Sequence, residues 1–225
     1  MGSSNDLAAQ WLRDGAPGGA VIVADEQRAG RGRRGRTWYT PPGVALALSV
    51  ILKPPPAHAA RASMIGALAI AELCDYVGIA DVGIKYPNDV QINGLKVSGV
   101  LPEAIWDDDQ LKGVVLGMGV NVRVQFDDDA ELADKATSME IALGKALDRV
   151  QLIAFVLQRV DYWAGRIGGA ELFERWQNRL TTLGRQVSIG DVVGIAQRIE
   201  PDGALIVQQA DGTETRILAG DVLIS

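Results

Sequence analysis

Short runs of apolar residues, separated by polar or glycine-rich stretches, dominate the first half of the chain. Such runs, bounded by turn residues, are typical of buried strands. Asn93-Gly94 lies between two of them, and Asn-Gly between apolar runs predicts a tight hairpin. We predict strands at Ala20–Glu26, Val44–Leu52, Val82–Tyr86, Val90–Ile92, Leu95–Leu101 and Leu111–Val122.

Apolar residues at helical spacing predict four helices before residue 184. Ser4 or Asn5 would cap the first helix, and Gly15 would end it. The other three helices are expected near Ala59–Val77, Leu147–Arg166 and Ala170–Leu183.

The composition changes after Gly184, where short strands replace helices. Asp202-Gly203 and Asp211-Gly212 are typical hairpin turns. The short strands between such turns indicate a small β-barrel. We therefore predict a main domain over residues 1–183 and a small C-terminal β-barrel domain over residues 184–225. The expected strands of the barrel are Gln186–Ser188, Val192–Ile199, Leu205–Gln209, Glu214–Ile217 and Val222–Ile224.

The overall composition is that of an ordinary folded protein. Of the 225 residues, 48% are hydrophobic and 22% are charged, which excludes a fibrous or disordered chain. The longest apolar runs are shorter than the roughly 20 residues that cross a membrane, and the N-terminal residues lack the pattern of a secretory leader. Cys74 is the single cysteine and cannot form an internal disulfide. We therefore expect a cytoplasmic protein with no membrane partner.

The formal net charge of −6 is unfavourable for general binding to nucleic acid, because contacts with phosphates need a positive surface. Arg31, Arg33, Arg34 and Arg36 are a local exception, since they lie within six residues. A dense positive spot on an acidic protein suits a small anionic ligand better than a duplex. We expect no DNA partner, and we interpret the run Asp127–Asp129 as a solvated loop.

The segment Gly30–Trp38, Gly-Arg-Gly-Arg-Arg-Gly-Arg-Thr-Trp, will be called the Gly/Arg loop. Glycines let the backbone approach a ligand, and successive N–H groups in such a turn can bind an anion. Arginine adds planar, charged groups that fit carboxylate and phosphate. The loop lacks the Lys-Ser/Thr ending of a Walker loop, and no helix follows it as in a dinucleotide fold. An anion site is favoured, and an arginine-rich surface loop is the alternative.

A second polar segment, Lys85–Asp89, leads into the predicted hairpin, which returns through Lys96 and Gly99. Lysine is unusual in an apolar strand, because a buried ammonium group is costly unless it is paired. Asn88 and Asp89 follow a proline at a strand junction, where they could hold a metal or a ribose. Gly99 leaves room for a ligand beside its strand. Surface ion pairs explain the same lysines equally well.

Together these segments resemble the signature blocks of biotin protein ligases. Gly30–Trp38 resembles the family's Gly-Arg-Gly-Arg-Arg-Gly loop with its tryptophan, Lys85–Asp89 its Lys-Trp-Pro-Asn-Asp block, and Lys96–Leu101 its Lys-x-x-Gly-Ile/Val-Leu block. Ser3–Asn5 and Gly117–Asn121 resemble its Ser-Thr-Asn and Gly-x-Gly-x-Asn blocks. The resemblance implies an α+β fold: a mixed β-sheet backed by helices, similar to class II aminoacyl-tRNA synthetases, with a small C-terminal SH3-like β-barrel.

The resemblance also implies a reaction. Biotin would attack the α-phosphorus of ATP, with Mg²⁺ as cofactor, to give biotinyl-5'-adenylate and pyrophosphate. A lysine of a biotin carrier protein would then take the biotin, and the expected carrier is the biotin carboxyl carrier domain of acetyl-CoA carboxylase. A homodimer formed through sheet edges is a further expectation. The alternative is a lipoate or octanoate ligase or transferase of the same fold, against which the Gly/Arg loop argues.

Individual roles follow from the same resemblance. Arg31 would contact the biotin carboxylate and the phosphate, Lys96 would lie between these two groups, and Asp89 is one candidate base for the acceptor lysine. Asn88, Asp89 and Asn121 would bind the nucleotide, and no metal ligand is assigned. The substrate-binding residues would be Ser3, Ser4, Asn5, Gln27, Gly30, Arg31, Gly32, Arg33, Arg34, Gly35, Arg36, Trp38, Lys96 and Gly99.

The chain departs from the family pattern at a few positions. Ser4 stands where threonine is usual and Tyr86 where tryptophan is usual. Pro102 replaces an apolar strand residue, so we expect its strand to bulge or end there. The sequence starts just before the Ser-Ser-Asn block, without the upstream strand and the optional helix-turn-helix domain of the family. We therefore expect a monofunctional ligase with no repressor role and with a less supported biotin pocket.

Overall fold

A computed structural model describes residues 1–126, 132–218, 220 and 222–224. The predicted loop Asp127–Asp129 lies outside the described residues. The main part of the chain forms a six-stranded sheet with the strand order β1-β2-β6-β5-β4-β3. Its strands are β1 Val21–Ala24, β2 Ala45–Leu52, β3 Val82–Lys85, β4 Asp89–Ile92, β5 Leu95–Asp107 and β6 Gln110–Asn121.

Neighbouring strands of this sheet are antiparallel along their whole ladders. Two isolated parallel bridges join it to other segments, between Ile84 and Leu180 and between Lys96 and Ala136. The predicted Asn93-Gly94 hairpin connects β4 and β5, and both residues have positive φ, as this tight turn requires. The predicted mixed sheet backed by helices is thus present.

Five helices accompany the sheet in the described residues: α1 Ser4–Arg13, α2 Ala62–Tyr76, α3 Met139–Leu143, α4 Arg149–Ala164 and α5 Ala170–Gln177. The expected start of the long helix at Ala59 is wrong, because Pro56–Arg61 forms a 3-10 turn and α2 begins after it. The short helix α3 was not predicted, since five residues carry too little periodicity to detect.

The predicted cap of the first helix is also corrected by the structure. Ser3 occupies the N-cap position and makes no capping hydrogen bond with its side chain. Ser4 and Asn5 are already helical and buried, because their side chains bind polar groups of other segments instead. The first turn of α1 is therefore held by tertiary contacts rather than by a local cap.

The helices lie on two different faces of the sheet. Helix α2 is buried on nearly all sides, because it packs on β5 and β6 with one side and on α4 and α5 with others. Its Gly66 lies against Val100 and Leu116, where a Cβ atom would come within 2.7 Å of a valine methyl group. Helix α1 covers the other face through Leu12, which contacts Gly113 of β6. These helices define the α2 face and the α1 face of the sheet.

Strand β5 continues past Pro102 to Asp107, so the expected end or bulge at Pro102 is wrong. Pro102 pairs with Leu116, and the bulge lies later, between Ile105 and Trp106. The N–H of Val100 points away from β6, to the carbonyl of Asn88. The nitrogen of Pro102 points the same way by the two-residue period of a strand. Because β4 begins only at Asp89, no ladder hydrogen bond is lost there.

The C-terminal residues form a five-stranded antiparallel sheet in the order β10-β9-β8-β7-β11. The Tyr86 hydroxyl, placed just before β4, lies 3.1 Å from the carbonyl oxygen of Gly203 and 3.0 Å from that of Ile217. The apolar core of this sheet is continuous with that of the α2 face. Its strands are β7 Gln186–Ile189, β8 Val192–Ile199, β9 Leu205–Gln208, β10 Glu214–Ile217 and β11 Leu223–Ile224.

The state of the single cysteine and the character of the helices can be read from the described residues. Cys74 is a free thiol buried in α2, and burial raises its pKa to about 12. Within the described part of the chain, no helix combines the length and the apolar character needed to cross a membrane.

Candidate active site

Glycines keep part of the α1 face of the sheet free of side chains. Gly99 of β5 is paired directly with Gly119 of β6. A Cβ atom at Gly119 would collide with the indole of Trp38, and one at Gly99 would lie 3.3 Å from the same ring and 3.4 Å from the Lys96 Nζ. A Cβ atom at Gly117 would collide with Asn5. These three glycines will be called the glycine floor, and they allow polar side chains to reach the backbone of the sheet.

The Gly/Arg loop folds back on itself and places Trp38 over this floor. The N–H of Trp38 donates to the carbonyl of Gly30 at 2.9 Å, and that of Gly32 donates to the carbonyl of Arg36 at 2.7 Å. Arg34 and Gly35 both have positive φ at the tip, where glycine is the residue that tolerates this conformation best. A Cβ atom at Gly30 would collide with the Trp38 carbonyl. The glycines are therefore required by the path of the loop itself.

Arg31 is held by two carboxylates from other elements. Its guanidinium group forms ion pairs with Asp6 of α1 and with Glu103 of β5. Partial burial alone would lower the pKa of Arg31, but the hydrogen bonds and charges of these carboxylates outweigh it and raise the pKa. The predicted anion-binding arginine is thus permanently charged and already carries anionic partners.

Arg33 connects the Gly/Arg loop with two other segments. Its guanidinium group donates to Oδ1 of Asn88 at 3.0 Å and to the carbonyl of Gly220 at 3.3 Å. Asn88 is buried and donates in turn to the carbonyl of Val100. Arg36 donates to the carbonyl of Arg33 at 3.5 Å. The Gly/Arg loop is therefore bound to the Lys85–Asp89 segment through Asn88, and to the C-terminal part of the chain through Gly220.

Lys96 and Asp89 form an ion pair beside Trp38. The Lys96 Nζ lies 2.7 Å from Oδ1 of Asp89 and 5.6 Å from the centre of the Trp38 ring. Both side chains are about one-third exposed, so a ligand can reach them. A register shift in the β4–β5 ladder lies between Lys96 and Ser98, and the backbone of Lys96 also bonds to Lys135 and Thr137. The predicted catalytic lysine thus faces the glycine floor from a fixed backbone.

The N-terminal end of α1 brings buried polar groups to the same face. The backbone N–H of Ser4 and its hydroxyl donate to Oε1 of Gln27 at 2.7 and 3.0 Å, and Gln27 donates to Thr40 at 3.1 Å. Ser3 is buried next to them. This group places a serine hydroxyl and a fixed amide next to Asn5, whose side chain lies against Gly117 of the glycine floor.

Asn5 links this group to Glu103. Its amide nitrogen donates to Oε2 of Glu103 at 2.7 Å and to the carbonyl of Leu101 at 3.2 Å. Its Oδ1 accepts a hydrogen bond from Ser49 at 2.6 Å. Ser49 is fully buried in the otherwise apolar strand β2. The orientation of the Glu103 carboxylate is therefore set by a chain of side chains across three elements.

Asn121, at the end of β6, is linked to the Lys96 segment through Thr137, whose N–H donates to the carbonyl of Lys96. It is buried, and its amide donates to the carbonyl of Thr137 at 3.1 Å. Among the described residues, no group of three or more His, Cys, Asp or Glu side chains could hold a metal ion. Mg²⁺ commonly binds through one or two carboxylates together with substrate phosphates. The single carboxylate Asp89 beside Lys96 fits that mode.

A cavity of about 370 Å³ lies in front of the Gly/Arg loop. It is lined by Ala29, by the Gly/Arg loop from Gly30 to Thr37, and by Leu101 and Glu103 of β5. Positive groups dominate the lining, which suits phosphate or carboxylate. The structure thus brings the predicted Arg31 and Lys96 segments onto one face of the sheet.

Four residues of this site were missed by the sequence analysis: Asp6, Thr40, Ser49 and Glu103. Ser49 had a detectable signal, since a lone hydroxyl in an eight-residue apolar strand needs a buried partner. Glu103 also had one, because the two-residue period of β5 places it on the face of Gly99. Asp6 and Thr40 had no such signal, because their contacts join segments far apart in sequence.

Comparisons with known proteins agree with this geometry. A model of the biotin/lipoate A/B protein ligase family matches residues 3–121, and a model of the biotin protein ligase C terminal domain matches residues 182–225. The bifunctional ligase/repressor BirA of Bacillus spizizenii is 30% identical over 234 residues, an alignment that covers 99% of this chain and 71% of the relative.

Two further proteins extend the comparison. The biotin--[acetyl-CoA-carboxylase] ligase of Paracoccus denitrificans is 32% identical over 225 residues, which covers 94% of this chain and 93% of the relative. The structure of a biotin protein ligase from Aquifex aeolicus in complex with biotin and ATP superimposes with a TM-score of 0.82 at 26% identity. That superposition covers 100% of this chain and 95% of the other.

Proposed function

The chain belongs to the biotin/lipoate A/B protein ligase family, and from this premise we propose how its residues activate biotin with ATP and transfer it to a carrier lysine. Biotin and ATP are its substrates, and the ligase function predicted from the sequence is confirmed by its relatives. The observation that carries the assignment of roles is that Lys96 lies beside Gly99 and Arg31 binds Glu103, two residues on the same face of β5.

Adenylation requires two anions to meet, the biotin carboxylate and the α-phosphate of ATP. Their repulsion falls when fixed cations face the charge that develops in the transition state. Lys96 lies beside Gly99 of the glycine floor, and Arg31 lies in the Gly/Arg loop. Lys96 is proposed to bridge carboxylate and α-phosphate, while Arg31 exchanges its contacts with Asp6 and Glu103 for the same anions. Mg²⁺, bound with the nucleotide, would neutralise further phosphate charge.

The adenylate is an acyl phosphate anhydride that water would hydrolyse. The Gly/Arg loop is the proposed cover, because Trp38 already closes the floor and Arg33 fastens the loop to Asn88 and Gly220. The cover consists of Gly30, Gly32 and Gly35 with Arg33, Arg34 and Arg36. Its closure would exclude water from the reacting carbon.

Biotin itself is proposed to bind between α1 and the glycine floor. Its ureido ring needs both donors and acceptors, and Ser3, Ser4, Asn5 and Gln27 supply buried hydroxyl and amide groups there. Trp38 supplies an apolar wall, and Gly99 lets the ligand approach the sheet. A pocket with few fixed polar groups in apolar surroundings is typical of small-molecule sites.

The nucleotide is proposed to lie toward Asn88, Asp89 and Asn121. Asn88 and Asn121 already use their amides within the protein, so their role is to fix the backbone around the pocket. Asp89 is more exposed and is the proposed carboxylate for the Mg²⁺–nucleotide complex. It is also a candidate base for the acceptor lysine.

The acceptor is proposed to be the biotin carboxyl carrier domain of acetyl-CoA carboxylase. The part of β5 beyond Gly99 has β6 on one side and no paired strand among the described residues on the other. An unpaired strand edge is a favourable place for another chain to add a strand. This edge, Pro102–Asp107, also borders the cavity of the Gly/Arg loop through Glu103. It is the proposed docking site of the carrier, and sheet edges are also the proposed contacts of a homodimer.

Two finer features complete the proposal. The five C-terminal strands are proposed to close as an SH3-like barrel that forms a domain over residues 184–225. The protein is proposed to act in the cytoplasm, which suits the free thiol of Cys74.

The first test is ATP–pyrophosphate exchange, measured separately with biotin, lipoate and octanoate. Exchange with biotin alone is expected, because the polar groups at the start of α1 suit a ureido ring. Exchange with lipoate or octanoate alone would support the alternative, a lipoate or octanoate ligase. Absence of exchange with all three acids would contradict the proposed site.

A further inference from the structure

Glu103 has a position in the site that adenylation does not explain. Among the described residues lining the cavity of the Gly/Arg loop, it is the one carboxylate. An anionic substrate that enters this cavity must approach it, and like charges repel. A carboxylate in this place needs a cationic partner at every stage of the reaction.

The orientation of Glu103 is fixed independently of Arg31. Oε2 accepts the amide hydrogen of Asn5 at 2.7 Å, and Asn5 is held by Ser49 and by the carbonyl of Leu101. Oε1 accepts from Arg31. The side chain is 25% exposed, so a group arriving from solvent can reach it. Departure of Arg31 would therefore leave Oε1 in place and facing the cavity.

The proposed adenylation step removes that partner. Arg31 cannot give its terminal nitrogens to the adenylate and keep both Asp6 and Glu103, since these nitrogens already bind the two carboxylates. A half-buried carboxylate without a cation is costly, so it attracts another one. The next reactant is a lysine, whose side chain is cationic at neutral pH.

The location of Glu103 fits that reactant. It lies on the part of β5 that pairs with β6 on one side and has no strand on its outer edge among the described residues, and it also lines the cavity. A carrier bound along Pro102–Asp107 would therefore present its lysine beside Glu103. On these grounds we propose that Glu103 is the acceptor-lysine site, which binds the lysine ammonium group once Arg31 has turned to the adenylate.

Transfer begins when the bound lysine loses a proton. The ammonium group gives one proton to the Glu103 carboxylate, which passes it to water. The free amine forms a C–N bond with the acyl carbon of the adenylate, and the bond from that carbon to the phosphate oxygen breaks. Its electron pair leaves with AMP, and the second proton lost from nitrogen goes to water.

The test separates the two half-reactions in Glu103→Gln, a variant that keeps the size of the side chain and an oxygen for Asn5. This inference rests on the proposed ligase function, so biotin-dependent ATP–pyrophosphate exchange is measured first on the same sample. We expect exchange within a few-fold of the unmodified protein. We expect kcat/KM for a purified biotin carrier domain to fall about 100-fold, the usual scale for loss of a proton-accepting group.

Hydroxylamine gives a second readout, because it is largely uncharged at neutral pH and needs no ammonium site. Its conversion to biotin hydroxamate by the adenylate-loaded enzyme should be unchanged in Glu103→Gln. Asp6→Asn is the matched control, because Asp6 is the other carboxylate on Arg31 and does not line the cavity. Because Asp6 touches Arg31 and not the proposed lysine site, transfer to the carrier in Asp6→Asn should fall no further than its biotin-dependent exchange.

Three results would overturn the inference. Normal carrier transfer in Glu103→Gln would show that its carboxylate is not needed. Equal losses with the carrier and with hydroxylamine, or equal losses in Asp6→Asn, would show that the carboxylate acts only through Arg31. Absence of exchange in the unmodified protein would instead contradict the ligase function itself.

Discussion

The two faces of strand β6 carry opposite kinds of residue. Val114, Leu116, Met118 and Val120 point to α2 and belong to the main apolar core. The alternate positions include Gly113, Gly117 and Gly119, which let Leu12, Asn5 and Trp38 approach the backbone. The first face buries apolar area, which stabilises the fold. The second face gives up side chains, so that polar groups from distant segments can meet over it.

One strand can therefore separate stability from chemistry by the two-residue period alone. Substitutions on the α2 face should change the free energy of unfolding and leave the activity of the folded molecules intact. Substitutions on the α1 face should do the reverse.

The largest effect is expected for Lys96→Gln on the α1 face. The variant removes the cation that faces the glycine floor, so biotin-dependent ATP–pyrophosphate exchange should fall about 1,000-fold. Lys112→Gln is the matched control, because Lys112 forms an exposed pair with Asp107 at the end of the β5–β6 hairpin. Exchange should be unchanged in the control, and a loss of exchange below tenfold in Lys96→Gln would contradict the assigned role.

On the α2 face, the largest effect is expected for Leu68→Ala. Leu68 is fully buried in α2, and the truncation should lower the free energy of unfolding by about 3 kcal/mol. Urea denaturation measures this change. Exchange per folded molecule should remain normal at low urea, and a selective loss of exchange without a loss of stability would break the separation of the two faces.

Gly119→Ala adds a single methyl group to the α1 face. Its Cβ would occupy the place of the Trp38 indole, so the ring and the Gly/Arg loop must move. Exchange should fall about 100-fold, since a displacement of about 1 Å in a catalytic group costs that much. Val120→Ala, the next residue on the α2 face, should instead lower stability and keep exchange. Normal exchange in Gly119→Ala would mean that the position of Trp38 is unimportant.

The sequence predicted the α2 face better than the α1 face. Strand β2 could be located because all eight of its residues are buried, and the Asn93-Gly94 hairpin because its turn chemistry is local. Helix α3 and the continuation of β5 past Pro102 could not be predicted from such local patterns. The first is too short for a periodic signal, and the second depends on where β4 begins.

For the site, the sequence supplied the segments and not their contacts. The Gly/Arg loop and the Lys96 block were recognisable from the residues and their resemblance to a family. The pairing of Glu103 with Arg31 was not, because the two residues are 72 positions apart along the chain. Ser49 and Asn5 are also in contact although they are 44 residues apart along the chain. Contacts of this kind depend on the register of the sheet, which local patterns do not determine.

The smallest effect is expected at Tyr86, which belongs to the α2 core but directly precedes the Asn88-Asp89 segment of the site. Its hydroxyl is the link to the carbonyls of Gly203 and Ile217 in the C-terminal sheet. Tyr86→Phe would leave these carbonyls without that donor and should lower the free energy of unfolding by about 1 kcal/mol at neutral pH. If the two faces are separate, exchange should fall no more than a few-fold.

The pH dependence of this variant sharpens the same test. Burial raises the pKa of Tyr86 from 10.0 to about 12, because desolvation disfavours the phenolate. A pKa raised by folding contributes stability that is present below pH 10 and is lost as the pH rises toward about 12. Urea unfolding of both proteins should therefore show a constant difference up to about pH 10 and a smaller one above it. A difference that stays constant to about pH 12 would mean that folding does not raise the pKa of the Tyr86 hydroxyl, which would contradict its burial between the two sheets.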